Sequence, residues 1–180
     1  MGSGVVRIGM ALLLSVASCA VLAQDVASPS PPAQRVVGEG ITGSLLRHAQ
    51  FPSRHVAARN VDVWLPPGYD EAKDARYPVL YMHDSQNVFD TSSSYTRVDW
   101  GVDEAMTRLI GNGHVRPAII VAVWNTPKRL QEYMPRKAIQ GESFIPTPGD
   151  PPFPTAEIVA DDYLAFLATE LKPFIDAQYR

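Results

Sequence analysis

The stretch Tyr77-Pro78-Val79-Leu80-Tyr81-Met82-His83-Asp84-Ser85-Gln86-Asn87-Val88-Phe89-Asp90 decides the fold. Residues 78–82 are almost entirely apolar, and residues 83–87 are abruptly polar. A short apolar run that ends in turn-prone residues is the pattern of a parallel strand buried on both faces. Ligands of open α/β sheets bind just beyond the carboxyl ends of such strands. One stretch therefore predicts an α/β fold and the place of a site.

Toward the C-terminus, a loop with Thr91-Ser92-Ser93-Ser94 at its centre leads to Asp99, which is predicted to cap a helix. Asp103 and Glu104 sit in its first turns, where negative charge suits the dipole. Val102, Ala105, Met106, Leu109 and Ile110 follow i, i+3, i+4, i+7 spacing, and Gly111 and Gly113 end the run. Residues 117–124 (Pro-Ala-Ile-Ile-Val-Ala-Val-Trp) carry the strongest buried-strand pattern in the chain. Strand, helix and second buried strand together predict a crossover unit with a parallel pair.

After Asn125 the pattern becomes irregular. Lys128, Arg129, Arg136 and Lys137 surround Glu132-Tyr133-Met134-Pro135, and a proline-rich loop comes next, over residues 145–155. A long insertion beyond the carboxyl end of a parallel strand is expected to be a lid or binding loop, a functionless solvated loop being the alternative. Thr155 is predicted to cap the last helix, with Ala160, Leu164, Leu167, Leu171 and Phe174 as its buried stripe. Pro173 is expected to kink or restart that helix.

Toward the N-terminus, Val61, Val63 and Leu65 alternate with Asn60, Asp62 and Trp64, and Pro66-Pro67-Gly68 stops the strand. Leu45, Arg47, Ala49 and Phe51 alternate in the same way with Leu46, His48 and Gln50. The two runs read as an antiparallel pair at a sheet edge. His48 and His55 have no partner pattern and read as surface or strand-end histidines.

Residues 1–23 have the form of an export signal: Arg7 as the only charge, an apolar segment, then Val21-Leu22-Ala23 before Gln24. The apolar run is short and interrupted, so no membrane span is expected. Export places the protein in the periplasm or outside the cell. Cys19, the only cysteine, comes after Val16-Ala17-Ser18, which resembles a lipoprotein cleavage box; a lipid anchor there is the alternative to simple secretion. Residues 24–42 read as a Pro/Ser-rich linker and residues 43–180 as the folded part. A net charge of −3 with no basic run predicts no nucleic-acid partner.

Two local chemistries are weighed at the polar end of the opening stretch. His83 and Asp84, with Asp90, Asp99 and Asp103 downstream, lack the spaced ligands of a metal site, so no metal or other cofactor is expected. Ser85 sits at a turn after a strand, but a nucleophile elbow needs small residues two positions away, and here those are His83 and Asn87.

Five strings in order resemble the esterase family of the α/β-hydrolase superfamily that includes enterochelin esterases, feruloyl esterases and mycolyl transferases. They are residues 59–69, residues 77–87, Trp100-Gly101-Val102-Asp103, Glu132-Tyr133-Met134-Pro135 and residues 170–176. The resemblance implies an incomplete α/β-hydrolase sheet: an antiparallel edge pair plus parallel strands with flanking helices, lacking the strands after the nucleophile elbow. It implies hydrolysis of a small-molecule ester by a Ser-His-acid triad. Matching residues to the family puts one oxyanion donor at the backbone N–H of Gln86, with Asn87 and Trp100 near the substrate. Family members often carry glycine where this chain has Ser85.

Gly-x-Ser-x-Gly is absent from the 180 residues, and in relatives it lies a few residues past the position of Arg180. The 180-residue chain is therefore expected to be inactive, as the N-terminal portion of a secreted serine esterase. A non-catalytic binding module or a truncated remnant is the alternative. In the family the strand over residues 78–82 lies between its successor and the strand that carries the nucleophile. Here it is expected to be a bare parallel edge, prone to aggregation.

Overall fold

The computed structural model describes residues 1–2, 32–38, 40–139, 143–145, 148 and 153–180. Nearly all of the expected export signal, Cys19, part of the linker and much of the 145–155 loop lie outside the described residues.

Five strands form one mixed sheet: β1 (Gln34–Val36), β2 (Ser44–Phe51), β3 (Arg59–Leu65), β4 (Val79–His83) and β5 (Ile119–Val123), in the spatial order β1-β2-β3-β5-β4. β1, β2, β3 and β5 pair antiparallel, and β4 runs parallel to β5 with Val79 opposite Ile119 and His83 opposite Val123. The crossover between β4 and β5 carries helix α1 (Val102–Gly111). The sheet is thus the incomplete α/β-hydrolase sheet the sequence implies, and β4 is its outer strand.

Period-two alternation sends each central strand into two cores. Val61, Val63, Val121 and Val123 face one side, where Tyr163, Phe166, Leu171 and Ile175 cover them. Trp64, Ile120 and Ala122 face the other, against Val88 and Phe89, with Val102, Met106 and Ile110 of α1 packed beside them. Both faces of β3 and β5 are buried, which is why these strands read as continuous apolar runs. β4 has cover on only part of its surface, and Leu80 is 48% exposed.

Several local expectations change. Gln34–Val36, expected as linker, pairs with β2. The antiparallel pair is accordingly not the edge: β1 lies outside β2, and β3 is central. The alternation in β2 breaks at Gln50, whose φ is 52°, and the register slips between His48 and Phe51. The bulge turns Phe51 to the same core as Leu46. His48 is buried, with Nε2 2.7 Å from the Tyr179 hydroxyl and its ring edge-on to Phe174. His55 is exposed, as expected.

Gly101, not Asp99, is the residue before α1, with a φ of 59° and no side-chain cap. The buried Asp103 reaches back to the N-terminal segment, accepting the Thr42 N–H at 2.6 Å and the Thr42 hydroxyl at 3.2 Å. That segment needs glycine at 43. Its φ is 70°, and a Cβ there would lie 2.7 Å from Trp64 Nε1 and 2.8 Å from the Leu65 carbonyl.

The last helix is continuous but not uniform: α3 (Ala160–Ala165), a π-helical stretch (Phe166–Leu171) and α4 (Lys172–Gln178). Thr155 caps none of it; Thr155–Glu157 is a separate 3-10 turn. Pro173 sits in the first turn of α4, where the π-helical stretch gives way to α-helix without a break in the chain's helical course. A proline lacks the N–H that an α-helix would use there, and the wider π turns precede it. The π stretch rotates the buried face, so Tyr163, Phe166, Leu171 and Ile175 are buried, while the expected Leu164 is exposed. The step from Phe166 to Leu171 matches the i→i+5 span of a π turn. Among the described residues no helix is long and apolar enough to cross a membrane.

Candidate active site

The end of β4 turns sharply. Asp84 adopts a left-handed backbone (φ 58°, ψ 44°), and a 3-10 turn over Ser85–Asn87 comes directly after it. The turn is closed by Asn87 N–H to the Asp84 carbonyl at 2.8 Å and by Val88 N–H to the Ser85 carbonyl at 3.1 Å. The first N–H groups of such a turn have no internal acceptor. None of the hydrogen bonds among the described residues uses the Gln86 N–H.

Side chains hold each residue of the turn. The Asp84 carboxylate accepts Arg129 Nε at 2.8 Å and Nη2 at 2.7 Å, and Asn125 Nδ2 at 2.6 Å. Burial alone would raise the Asp84 pKa; the bonds from Arg129 and Asn125 outweigh it and hold the carboxyl below its usual range. The Gln86 amide pairs reciprocally with Asn125, donating to its backbone and side-chain oxygens and accepting its N–H at 3.1 Å. Ser85, 2% exposed, donates its hydroxyl to Asp62 at 2.8 Å. A buried hydroxyl whose proton is directed to a carboxylate is not open to a substrate carbonyl.

Asp62 is the hub beneath the turn. It also accepts Arg47 Nε at 2.7 Å, Arg47 Nη2 at 3.0 Å and Trp124 Nε1 at 2.7 Å, and the Arg47 guanidinium lies 4.6 Å from the Trp124 ring centre. β2, β3, the turn and the end of β5 are thereby tied to one carboxylate.

Asn87 and Trp100 are brought together, as the Trp100 N–H donates to the Asn87 carbonyl at 2.7 Å. The Asn87 side-chain oxygen accepts Tyr95 N–H at 3.0 Å and the Ser94 hydroxyl at 3.3 Å, so this residue closes the 88–100 loop at both ends. Trp100 is 53% exposed beside it.

His83 precedes the turn. Its Nδ1 lies 2.9 Å from the Tyr163 hydroxyl, and burial lowers its pKa, with Asp84 opposing that shift. His83, Tyr133, Tyr163, Leu164 and Leu167 line a cleft of about 470 Å³, with Arg136 and Lys137 also at its wall. Behind it Arg59 and Glu132 form a two-pronged ion pair at 2.8 and 2.6 Å, both side chains almost fully buried.

No local signal in the sequence pointed to Arg129, Asn125, Glu132 or Arg59 as parts of one site, since their partners lie tens of residues away. Asp62 did leave a trace: a carboxylate between two valines of a strand buried on both faces must have partners.

Of the acids considered for a metal, Asp84 and Asp90 are engaged elsewhere, while Asp99 and Asp103 lie together. Asp84 belongs to Arg129, and Asp90 to Ser92, whose N–H and hydroxyl it accepts. Asp99, Asp103 and Glu104 bring one carboxylate oxygen each within 4.8 Å of one another, and one oxygen of Asp103 is already bonded to Thr42. Burial, Asp103 and Asp99 raise the Glu104 pKa. A raised carboxyl pKa means the folded state binds the proton more readily than the unfolded one, so ionised Glu104 weakens the fold above its unfolded pKa. Glu104→Gln is therefore expected to raise the melting temperature at pH 7. The gain should vanish as pH falls below the ordinary glutamate range, as read by circular dichroism melts across that interval.

The profile of the family described as "Putative esterase" matches residues 56–180. The solved IroE-like serine hydrolase from Shewanella oneidensis is 25% identical, with a TM-score of 0.52 over 71% of this chain and 37% of that one. A ferulic acid esterase from Anaeromyces mucronatus, solved with ferulic acid, is 20% identical with a TM-score of 0.44, over 87% of this chain and 46% of its own. The BES protein from Bacillus cereus is 18% identical with a TM-score of 0.42, over 87% and 49%. The chain thus spans less than half the length of these solved relatives. No curated protein matches it. With the profile covering well over half of its residues, the chain belongs to this esterase family.

Proposed function

We propose that the chain is the N-terminal portion of an exported serine esterase acting on small-molecule carboxylic esters. The Gln86 backbone N–H is one oxyanion donor, Asn87 and Trp100 flank the substrate, and the Ser-His-acid triad lies beyond Arg180 in the polypeptide. The observation that carries this reading is the Gln86 turn, set at the carboxyl end of β4 with its N–H unused among the described hydrogen bonds. A preorganised donor aimed at developing negative charge is worth about 10²–10³ in kcat. The far end of the chain supports the reading too. Tyr179 is extended (φ −123°, ψ 156°), and the Arg180 carbonyl accepts the Tyr77 N–H at 3.0 Å, beside the free edge of β4. Residues continuing from there would run parallel along β4, as the nucleophile-bearing strand does.

The test has two arms. The 180-residue chain is expected to show no turnover of p-nitrophenyl acetate above background. A polypeptide extended through an in-frame Gly-x-Ser-x-Gly should turn it over, and substitution of that serine should abolish the activity. Turnover by the 180-residue chain that Ser85→Ala removes would refute the assignment. A stop codon directly after Arg180, with a soluble product, would favour a non-catalytic binding module.

A further inference from the structure

Asp84 holds a left-handed backbone conformation that few non-glycine residues adopt. Such residues persist where their surroundings over-determine them, and they concentrate at functional sites. Here the surroundings are specific. Arg129 grips the Asp84 carboxylate with two nitrogens, Asn125 binds the same carboxylate and the Gln86 amide, and Asp62 holds Ser85 from below. The side chains of residues 84, 85 and 86 all restrain the backbone. What the arrangement leaves unrestrained is the Gln86 N–H.

The restraints differ in kind. Asp62 is buried, whereas the Arg129 side chain is 48% exposed. Arg129 opens helix α2 (Arg129–Tyr133), and its guanidinium lies 5.1 Å from the ring centre of Tyr133, which lines the 470 Å³ cleft. It therefore connects the cleft wall to the turn.

We infer that Arg129 is a positioning residue that aims the Gln86 N–H by clamping Asp84 from beside Tyr133 of the cleft wall. The inference rests on the reading of Gln86 as oxyanion donor. Arg129 acts through Asp84 and not on the reacting atoms. Its planar fork matches both carboxylate oxygens at once, a geometry that a lysine ammonium does not reproduce.

The test is hydrogen exchange, read by mass spectrometry on the full chain and on its Arg129→Lys and Arg129→Gln variants. Peptides covering residues 84–90 report the two bonds that close the turn, and peptides covering β5 report the core. In Arg129→Gln the turn is expected to exchange about tenfold faster or more, a loosening of the kind local opening produces, while β5 stays unchanged. Arg129→Lys should fall between the two. Unchanged exchange at the turn overturns the proposal, and so does equal acceleration in β5, which would mark a general loss of stability. In an active extended polypeptide, Arg129→Gln should lower kcat for p-nitrophenyl acetate about 10²-fold with KM nearly constant, the pattern of a lost transition-state contact. A change confined to KM overturns it. An extended wild-type protein with no esterase activity would sink the reading of Gln86 as oxyanion donor, while the exchange data would still decide whether Arg129 holds the turn.

Discussion

Replacing Glu132 by alanine is expected to destabilise the chain by about 3–5 kcal/mol, because it strands the buried charge of Arg59. The pair is nearly solvent-free, its two contacts are 2.8 and 2.6 Å, and Arg59 also lies 5.3 Å from the ring centre of Tyr163 and 5.5 Å from that of Phe166. Among the described residues no other carboxylate pairs with Arg59; its remaining contact is with the Ala57 carbonyl. The desolvation of two ions offsets most of their attraction, so the pair itself adds little. Breaking it is what is harmful. The double variant Arg59→Met/Glu132→Leu should accordingly recover most of the loss. Urea unfolding monitored by tryptophan fluorescence measures both. A loss below about 1 kcal/mol in Glu132→Ala would mean that water reaches Arg59 and that the site is not sealed as described.

The free edge of β4 carries the second large effect. A strand that offers unpaired N–H and carbonyl groups beside an exposed leucine is a template for another chain. β4 is last in the sheet order, and Leu80 is 48% exposed on it. The polypeptide ending at Arg180 is expected to self-associate at micromolar concentration. Leu80→Lys should weaken that association about tenfold or more by placing a charge on the edge, as natural edge strands do. Sedimentation velocity over a concentration series decides the matter. A wild-type chain that stays monomeric at about 100 μM, far above the Kd of a specific interface, would show that the edge is already protected. The same logic predicts that an extended polypeptide, with β4 covered by its next strand, loses the association without any substitution.

Most of the sheet was legible because each of its central strands repeats a simple pattern. Val61, Val63 and Leu65 against Trp64 announced two faces, and residues 117–124 announced a strand buried on both; residues 78–82, read in the same way, form a strand with no fully buried residue. The parallel pair came from the same patterns, and the bare edge only with the family resemblance in hand. Elsewhere local patterns misled. Asp99 looked like a cap, but the left-handed Gly101 starts α1. The stripe at Leu164 assumed 3.6 residues per turn, and the π stretch before Pro173 rotated it. Gln34–Val36 is too short to show alternation, and only its pairing with Leu45–Arg47 makes it a strand.

The sequence by itself determined β2 to β5, α1, the last helix and the place of the turn that ends β4, since these depend on periodicity and turn chemistry within a few residues. The tertiary structure alone decided what holds that turn. Ser85 meets Asp62 23 residues away, Asp84 meets Arg129 45 residues away, and Arg59 meets Glu132 across 73. A buried charge or hydroxyl requires a partner, but the chain's local pattern does not name which one. The crossover from β4 to β5 brings Asn125 and Arg129 to the turn, and the pairing of β3 with β5 brings Asp62, so the identity of each partner is a property of the topology.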